Sequence, residues 1–285
     1  MFDPKSKIRP PAAAGQFYPE GKEGLGKMID GFLSQAEVPG IKGKIFGLLL
    51  PHAGYLFSGL VAAHGYKLIS DKKFDTVILI GDSHYERFDG VSLWEKGEWE
   101  TPLGKIKIDE ELAKAIVAVS DRFFSRDSAH LFEHSIEVHL PFLQKALKDF
   151  KILPIIFGSE DKDWRELARI LVKNIRGRKI LIIASSDLSH YPSREEAERL
   201  DRETLKGVLT ADPVRLKEKI AELEGKSVPG VETLMCAQDS VKTLLEIAKS
   251  LKAKAKLLDY ANSGDALMGD KDRVVGYGAV AFYLP

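Results

Sequence analysis

The chain has 285 residues, 44% of them hydrophobic, and its 42 Lys+Arg balance 42 Asp+Glu. No net field argues for nucleic acid, an acidic membrane or a polyanionic substrate. The single cysteine, Cys236, excludes an intrachain disulfide framework, and no apolar run approaches the roughly 18 residues of a membrane span.

Met1 to Tyr18 carries no apolar signal-peptide core, so the expectation is a cytoplasmic protein. High charge with scarce Asn and Gln resembles thermophile composition. Residues 1–20 read as loop, because Pro10-Pro11 forbids helix locally. Phe17 and Tyr18 then read either as an anchor onto the core or as one wall of a pocket. Helical spacing follows over Gly24 to Ala36. The apolar run Ile45 to Leu50 is too short for a helix and reads as a buried strand. It runs into Pro51-His52-Ala53-Gly54-Tyr55, and a helix is expected over Ser58 to Ser70, with His64 a satisfied histidine on its face.

Val77 to Ile80 is a second buried strand, running into Gly81-Asp82-Ser83-His84. Gly90 to Trp94 and Gly104 to Ile108 are expected to pair as a hairpin. Asp109 caps a helix over Glu110 to Val119, with acids in the first turn as the dipole prefers. Glu133 opens an amphipathic helix in which Pro141 marks a kink or a second start. Glu133, His134 and Glu137 on its first turns read equally as site residues or as a solvated face.

Lys151 to Phe157 is a further buried strand, ending in Gly158-Ser159-Glu160, and Asp163 to Lys173 a helix. Ile180 to Ile183 runs into Asp187 and His190. Helices are expected over Arg194 to Leu209, capped by Pro192-Ser193, over Val214 to Leu223, started by Asp212-Pro213, and over Gln238 to Ser250. Lys256 to Tyr260 reads as a strand, and Val274 to Leu284 as a closing strand, antiparallel on an edge. This alternation predicts an α/β fold, a single domain over 1–285 with a mainly parallel, mixed central sheet flanked by helices.

Three buried strands thus each deliver a histidine just past their carboxyl ends, where open α/β sheets bind ligands. His52 and His84, with Asp187 and His190 beside them and Cys236 as the one thiolate, suit Zn, Fe or Cu rather than Mg or Ca. A nucleophilic alternative stays open. Gly81-Asp82-Ser83 and Asp187-x-x-His190 are similar to blocks of lipase-like serine hydrolases, and Cys236 with His190 could form a thiol hydrolase.

The motifs Ala14-Gly15-Gln16-Phe17-Tyr18, Pro51-His52-Ala53-Gly54-Tyr55, Ser83-His84, Glu133-His134-Ser135-Ile136-Glu137-Val138-His139-Leu140-Pro141, Ser185-Ser186-Asp187-x-x-His190 and the Cys236 segment occur in this order. In them the chain resembles the MEMO1 family, the AmmeMemoRadiSam system protein B group. That resemblance implies a fold like class III extradiol dioxygenases and a crevice metal held by His52, His84 and Cys236. It implies Fe(II), with Cu or Zn as alternatives, and a metal-dependent oxidoreductase. His190, oriented by Asp187, would be the catalytic acid/base, and Phe17, Tyr55, Glu133 and His134 would line the binding pocket. The alternative is a module that binds a peptide or small ligand without catalysis. AMMECR1-like and radical-SAM proteins are the implied partners.

Overall fold

The structure, a computed structural model, describes residues 7–159, 163–175, 177–226, 228–266 and 269–285. Met1 to Ser6 and Glu160, included in the readings above, lie outside them. The strands are β1 (Ile8–Arg9), β2 (Lys44–Leu50), β3 (Thr76–Asp82), β4 (Val91–Leu93), β5 (Glu98–Thr101), β6 (Gly104–Lys107), β7 (Phe123–Phe124), β8 (Lys151–Phe157), β9 (Ile180–Ser185), β10 (Lys254–Asn262) and β11 (Gly276–Leu284). The helices are α1 (Lys22–Gln35), α2 (Tyr55–Ile69), α3 (Glu110–Val117), α4 (Asp127–Leu131), α5 (His134–Glu137), α6 (His139–Ala146), α7 (Trp164–Asn174), α8 (Arg194–Leu209), α9 (Pro213–Glu224) and α10 (Gln238–Ser250).

Eight strands form the main sheet in the order β10-β11-β2-β9-β3-β8-β4-β7. Its centre, β2-β9-β3-β8, is parallel, and these are the four apolar runs read as buried strands. Such runs have no polar face because the sheet is covered on both sides. Alternation along each strand still sorts side chains between two cores. Leu48, Leu50, Val77 and Leu79 face α1, α2 and α6. Leu49, Ile78, Ile80 and Ile155 face α7, α8, α9 and α10. The expected fold class, a mixed central sheet flanked by helices, is the one observed.

Two expectations about the periphery need correction. The strand Val91–Leu93 does not pair with Gly104–Lys107. It joins the main sheet antiparallel to β8, and the hairpin is instead β5 with β6, turning at Pro102-Leu103 in a small sheet with β1. Spacing alone could not choose between two short strands preceding the same turn. The closing strand β11 is antiparallel, as expected, but it is internal: β10 covers it and forms the edge. β10 leaves its residues half-buried, as an edge strand does.

Caps fall where the sequence puts them. Asp109, Ser193 and Asp212 each accept a backbone N–H in the first turn of α3, α8 and α9. The helix after Glu133 breaks at Val138 into α5 and α6. Pro141 is the third residue of the second piece, where its missing N–H costs little. No described helix is long and apolar enough to cross a membrane.

Candidate metal centre

β9 lies between β2 and β3, so the loops after β2 and β3 flank the end of β9. His52 and His84 leave those loops and lean toward each other, ring centroids 5.0 Å apart and nearly perpendicular. A third imidazole, His134 at the start of α5, closes the group at 5.4 Å from His52 and 4.7 Å from His84. The three offer ligand atoms that all lie within 4.8 Å of one another. Cys236 meets this cluster at His52, its Sγ 3.4 Å from Nε2. An imidazole nitrogen and a thiolate on one tetrahedral ion sit about 3.5 Å apart, given bonds of about 2.0–2.1 and 2.3 Å.

Two of the three imidazoles are held from behind by hydrogen bonds. Glu133, fully buried, takes His84 Nδ1 at 2.9 Å on one oxygen and His84 N at 2.8 Å on the other. The same carboxylate accepts from Ser135 N at 3.0 Å and so caps α5. Burial alone would raise the Glu133 carboxyl, but its bonds and charge partners at His84 and His134 win and hold it at about 2. Burial likewise disfavours the His84 cation, and Glu133 outweighs it, so His84 ends above the ordinary histidine value. His134 Nδ1 makes no hydrogen bond, Glu133 Oε1 lying 3.6 Å away, and burial outweighs that charge and holds His134 at about 4. His52 Nδ1 lies 2.8 Å from Ser185 Oγ. Burial, then the neighbouring imidazoles, keep His52 well below the usual range.

Asp187 sits where the sequence places it, past β9, but serves His52 rather than His190. Its Oδ1 accepts from His52 N at 2.8 Å, its Oδ2 lies 3.9 Å from His52 Nε2, and burial pushes it up to about 7. The expected Asp187–His190 pair is therefore not assembled. His190 is tied through its backbone to Thr233, and its buried Nε2 has no hydrogen-bond partner. Phe17 stacks on His134, ring centroids 4.4 Å apart. Tyr55 does not line the crevice. It is buried against Tyr18 and Phe142 and donates its hydroxyl to Val138 O at 2.6 Å.

The hydrolase readings find no geometry. Gly81 is glycine because a Cβ there would lie 2.6 Å from Ser135 Oγ. Asp82 caps α10 through Ser240 and Asp239, and Ser83 Oγ accepts from Glu86 N. Cys236 lies against His52 and accepts from Asp187 N at 3.3 Å; burial and the neighbouring Asp187 raise its thiol, which disfavours the reactive thiolate.

Glu137, one turn after Glu133, has a structural task. Its carboxylate takes Arg9 Nη1 at 2.5 Å, Tyr18 Oη at 2.5 Å, and the N–H groups of Ala12 and Ala13, both at 2.8 Å. Arg9 is fully buried over the Trp99 ring and also reaches His130 O and Glu133 O. This clasp fastens residues 9–18 against α5, and so sets the Phe17 wall. Sequence reading missed Arg9 and Ser185. A lone Arg beside prolines and one of two adjacent serines carry no spacing signal.

Comparison with known proteins agrees with the motif reading. A family model described as "Memo-like protein" matches residues 9–281. A MEMO1 family protein of Desulfurococcus amylolyticus is 37% identical over 98% of this chain and 100% of its own length. One from Methanobrevibacter smithii is 38% identical over 96% and 99%. Among solved structures, the uncharacterized protein JW3007 from Escherichia coli K12 superposes with a TM-score of 0.51 at 11% identity. It covers 82% of this chain and 99% of that one, a likeness of fold. The chain belongs to the Memo-like family.

Proposed function

We propose that the crevice is a transition-metal centre built on His52 and His84, completed by His134 and by Cys236. The observation that carries this reading is the convergence of three imidazoles whose ligand atoms lie within 4.8 Å of one another. Two further features fit an ion. The Nδ1 atoms of His52 and His84 are occupied by Ser185 and Glu133, which leaves both Nε2 atoms for a ligand position. The buried Nδ1 of His134 makes no hydrogen bond, with Glu133 Oε1 the facing carboxylate atom at 3.6 Å, and a cation there would be balanced by that charge. The donor set, imidazole with one thiolate, suits Zn, Fe or Cu. Such an ion, when bound, supplies Lewis acidity and, for iron or copper, one-electron exchange. The protein's own part is to aim the imidazoles, to wall the site with Phe17 and to hold Asp187 beside His52.

Elemental analysis of protein purified without oxygen or chelator tests this, with His84→Ala and Cys236→Ala alongside. Near-stoichiometric metal in the wild type and loss in His84→Ala are expected. Cys236→Ala should keep Zn(II), through three imidazoles, and lose preference for Cu(I). A wild type that refuses added Fe(II), Cu(I) and Zn(II) overturns the proposal.

A further inference from the structure

We infer that Ser185, held by Ser135 O and His139, fixes which nitrogen of His52 carries the proton, within a buried hydrogen-bonded chain that ends at Tyr66. Ser185 and His139 are thereby positioning residues for the crevice. The links are short. Tyr66 Oη lies 2.6 Å from His139 Nδ1, His139 Nε2 lies 2.9 Å from Ser185 Oγ, and Ser185 Oγ lies 2.8 Å from His52 Nδ1. All four residues are at most 2% exposed, so water cannot substitute for a missing partner.

Donor and acceptor counting decides the direction. A serine hydroxyl has one hydrogen and two lone pairs. Ser185 Oγ has three neighbours, and one of them, Ser135 O at 2.6 Å, can only accept. The hydroxyl hydrogen therefore goes to Ser135 O. Both imidazole contacts must then be N–H groups donating into the two lone pairs. His52 carries its proton on Nδ1, and its Nε2 presents a lone pair to the crevice. His139 carries its proton on Nε2, which leaves Nδ1 to accept from the Tyr66 hydroxyl. Every atom of the chain is satisfied by this one assignment, and reversing any link leaves a buried group unpaired.

The parts come from four elements. Tyr66 stands on α2, His139 opens α6, Ser185 is the last residue of β9, and His52 follows β2. The hydrogen-bond acceptor that orients Ser185 is the carbonyl next to His134. One stretch of chain thus aims two imidazoles of the cluster, one from each side.

The consequence for metal affinity rests on the metal-centre reading above; the proton assignment does not. Long-range 1H–15N NMR on metal-free protein with 15N-labelled histidine reads the proton position directly. Wild type should show His52 protonated on Nδ1. Ser185→Ala removes the acceptor and should shift His52 to a tautomer mixture. It should also weaken Zn(II) binding by about 10–100-fold. Tyr66→Phe removes only the far end, and should leave the His52 tautomer and Zn(II) affinity close to wild type. A wild-type His52 protonated on Nε2 overturns the inference, as does a Ser185→Ala protein with unchanged tautomer and affinity. If Ser185→Ala does not fold, the wild-type tautomer alone decides. If the tautomers behave as expected but wild type binds no zinc, the chain stands and the metal reading falls.

Discussion

Replacing Glu133 by Gln isolates the support behind His84. The substitution keeps shape and removes one charge. Oε1 accepts two N–H groups, from His84 Nδ1 and Ser135, while Oε2 accepts one, from His84 N. The best placement of the amide keeps its oxygen at Oε1 and turns its NH2 toward His84 N–H, so two donors face each other. One lost buried hydrogen bond costs about 1–3 kcal/mol. Linkage gives an independent figure. A carboxyl held at about 2 against an ordinary 4.5 corresponds to about 3 kcal/mol at neutral pH. The sign follows from the depressed value: this stability is present above pH 4.5 and lost as the pH falls toward 2. Urea unfolding of metal-free protein should therefore show Glu133→Gln destabilised by about 2–3 kcal/mol at pH 7. The gap should narrow by about 2 kcal/mol at pH 3. Zn(II) affinity should fall about 10–100-fold. A stability gap below about 0.5 kcal/mol at pH 7, or one that does not change with pH, refutes the reasoning.

Glu137→Ala should leave the Arg9 charge buried without its carboxylate, costing about 3–5 kcal/mol, and should also loosen the contact of Phe17 with His134. A loss of under about 1 kcal/mol in chemical unfolding would mean that the clasp is not closed in solution. Gly81→Ala should cost about 1–3 kcal/mol and lower metal affinity, since the new Cβ meets Ser135 Oγ at 2.6 Å and displaces α5. Affinity equal to wild type counts against that packing. Asp201 is raised by burial from 3.8 to about 7. Its proton is bound more tightly in the folded state, so it erodes stability as the pH rises from about 4 to about 7. Asp201→Asn should gain about 2–3 kcal/mol on wild type between pH 5 and pH 8, and a flat difference would show that Asp201 is not desolvated.

The central sheet was legible because four apolar runs of strand length can be satisfied only by burial on both faces. Helix starts at Asp109, Ser193 and Asp212 were legible because capping is local chemistry. His52 and His84 could be read as convergent because a parallel sheet gathers strand ends on one side. What remained hidden depends on contacts between distant segments. The sequence left Glu133 and Glu137 balanced between site and solvated face, and the structure gives neither face to solvent. One carboxylate supports His84 and the other binds Arg9, a partner 128 residues away. In the sequence His134 reads as a pocket residue rather than a ligand, because its approach to His52 depends on where α5 docks. Asp187 and His190 share a motif, yet the carboxylate turns toward His52 because two backbone N–H groups await it there.

The clasp and the crevice together are stitched from contacts of great sequence separation: 184 residues for Cys236 with His52, 133 for Ser185 with His52, and 124 for Ala13 with Glu137. Closing such loops is entropically costly, and β2 has to pair with β9 before the side chains at their ends can meet. Completion of the crevice is thus expected after the folding transition state, in the native molecule. An ion or ligand held there acts on one arm of the kinetics alone. At a concentration about a hundredfold above its dissociation constant it slows unfolding by about a hundredfold and leaves the refolding rate where it was. Occupancy of this crevice should then lengthen the life of the native molecule without changing how fast it is made.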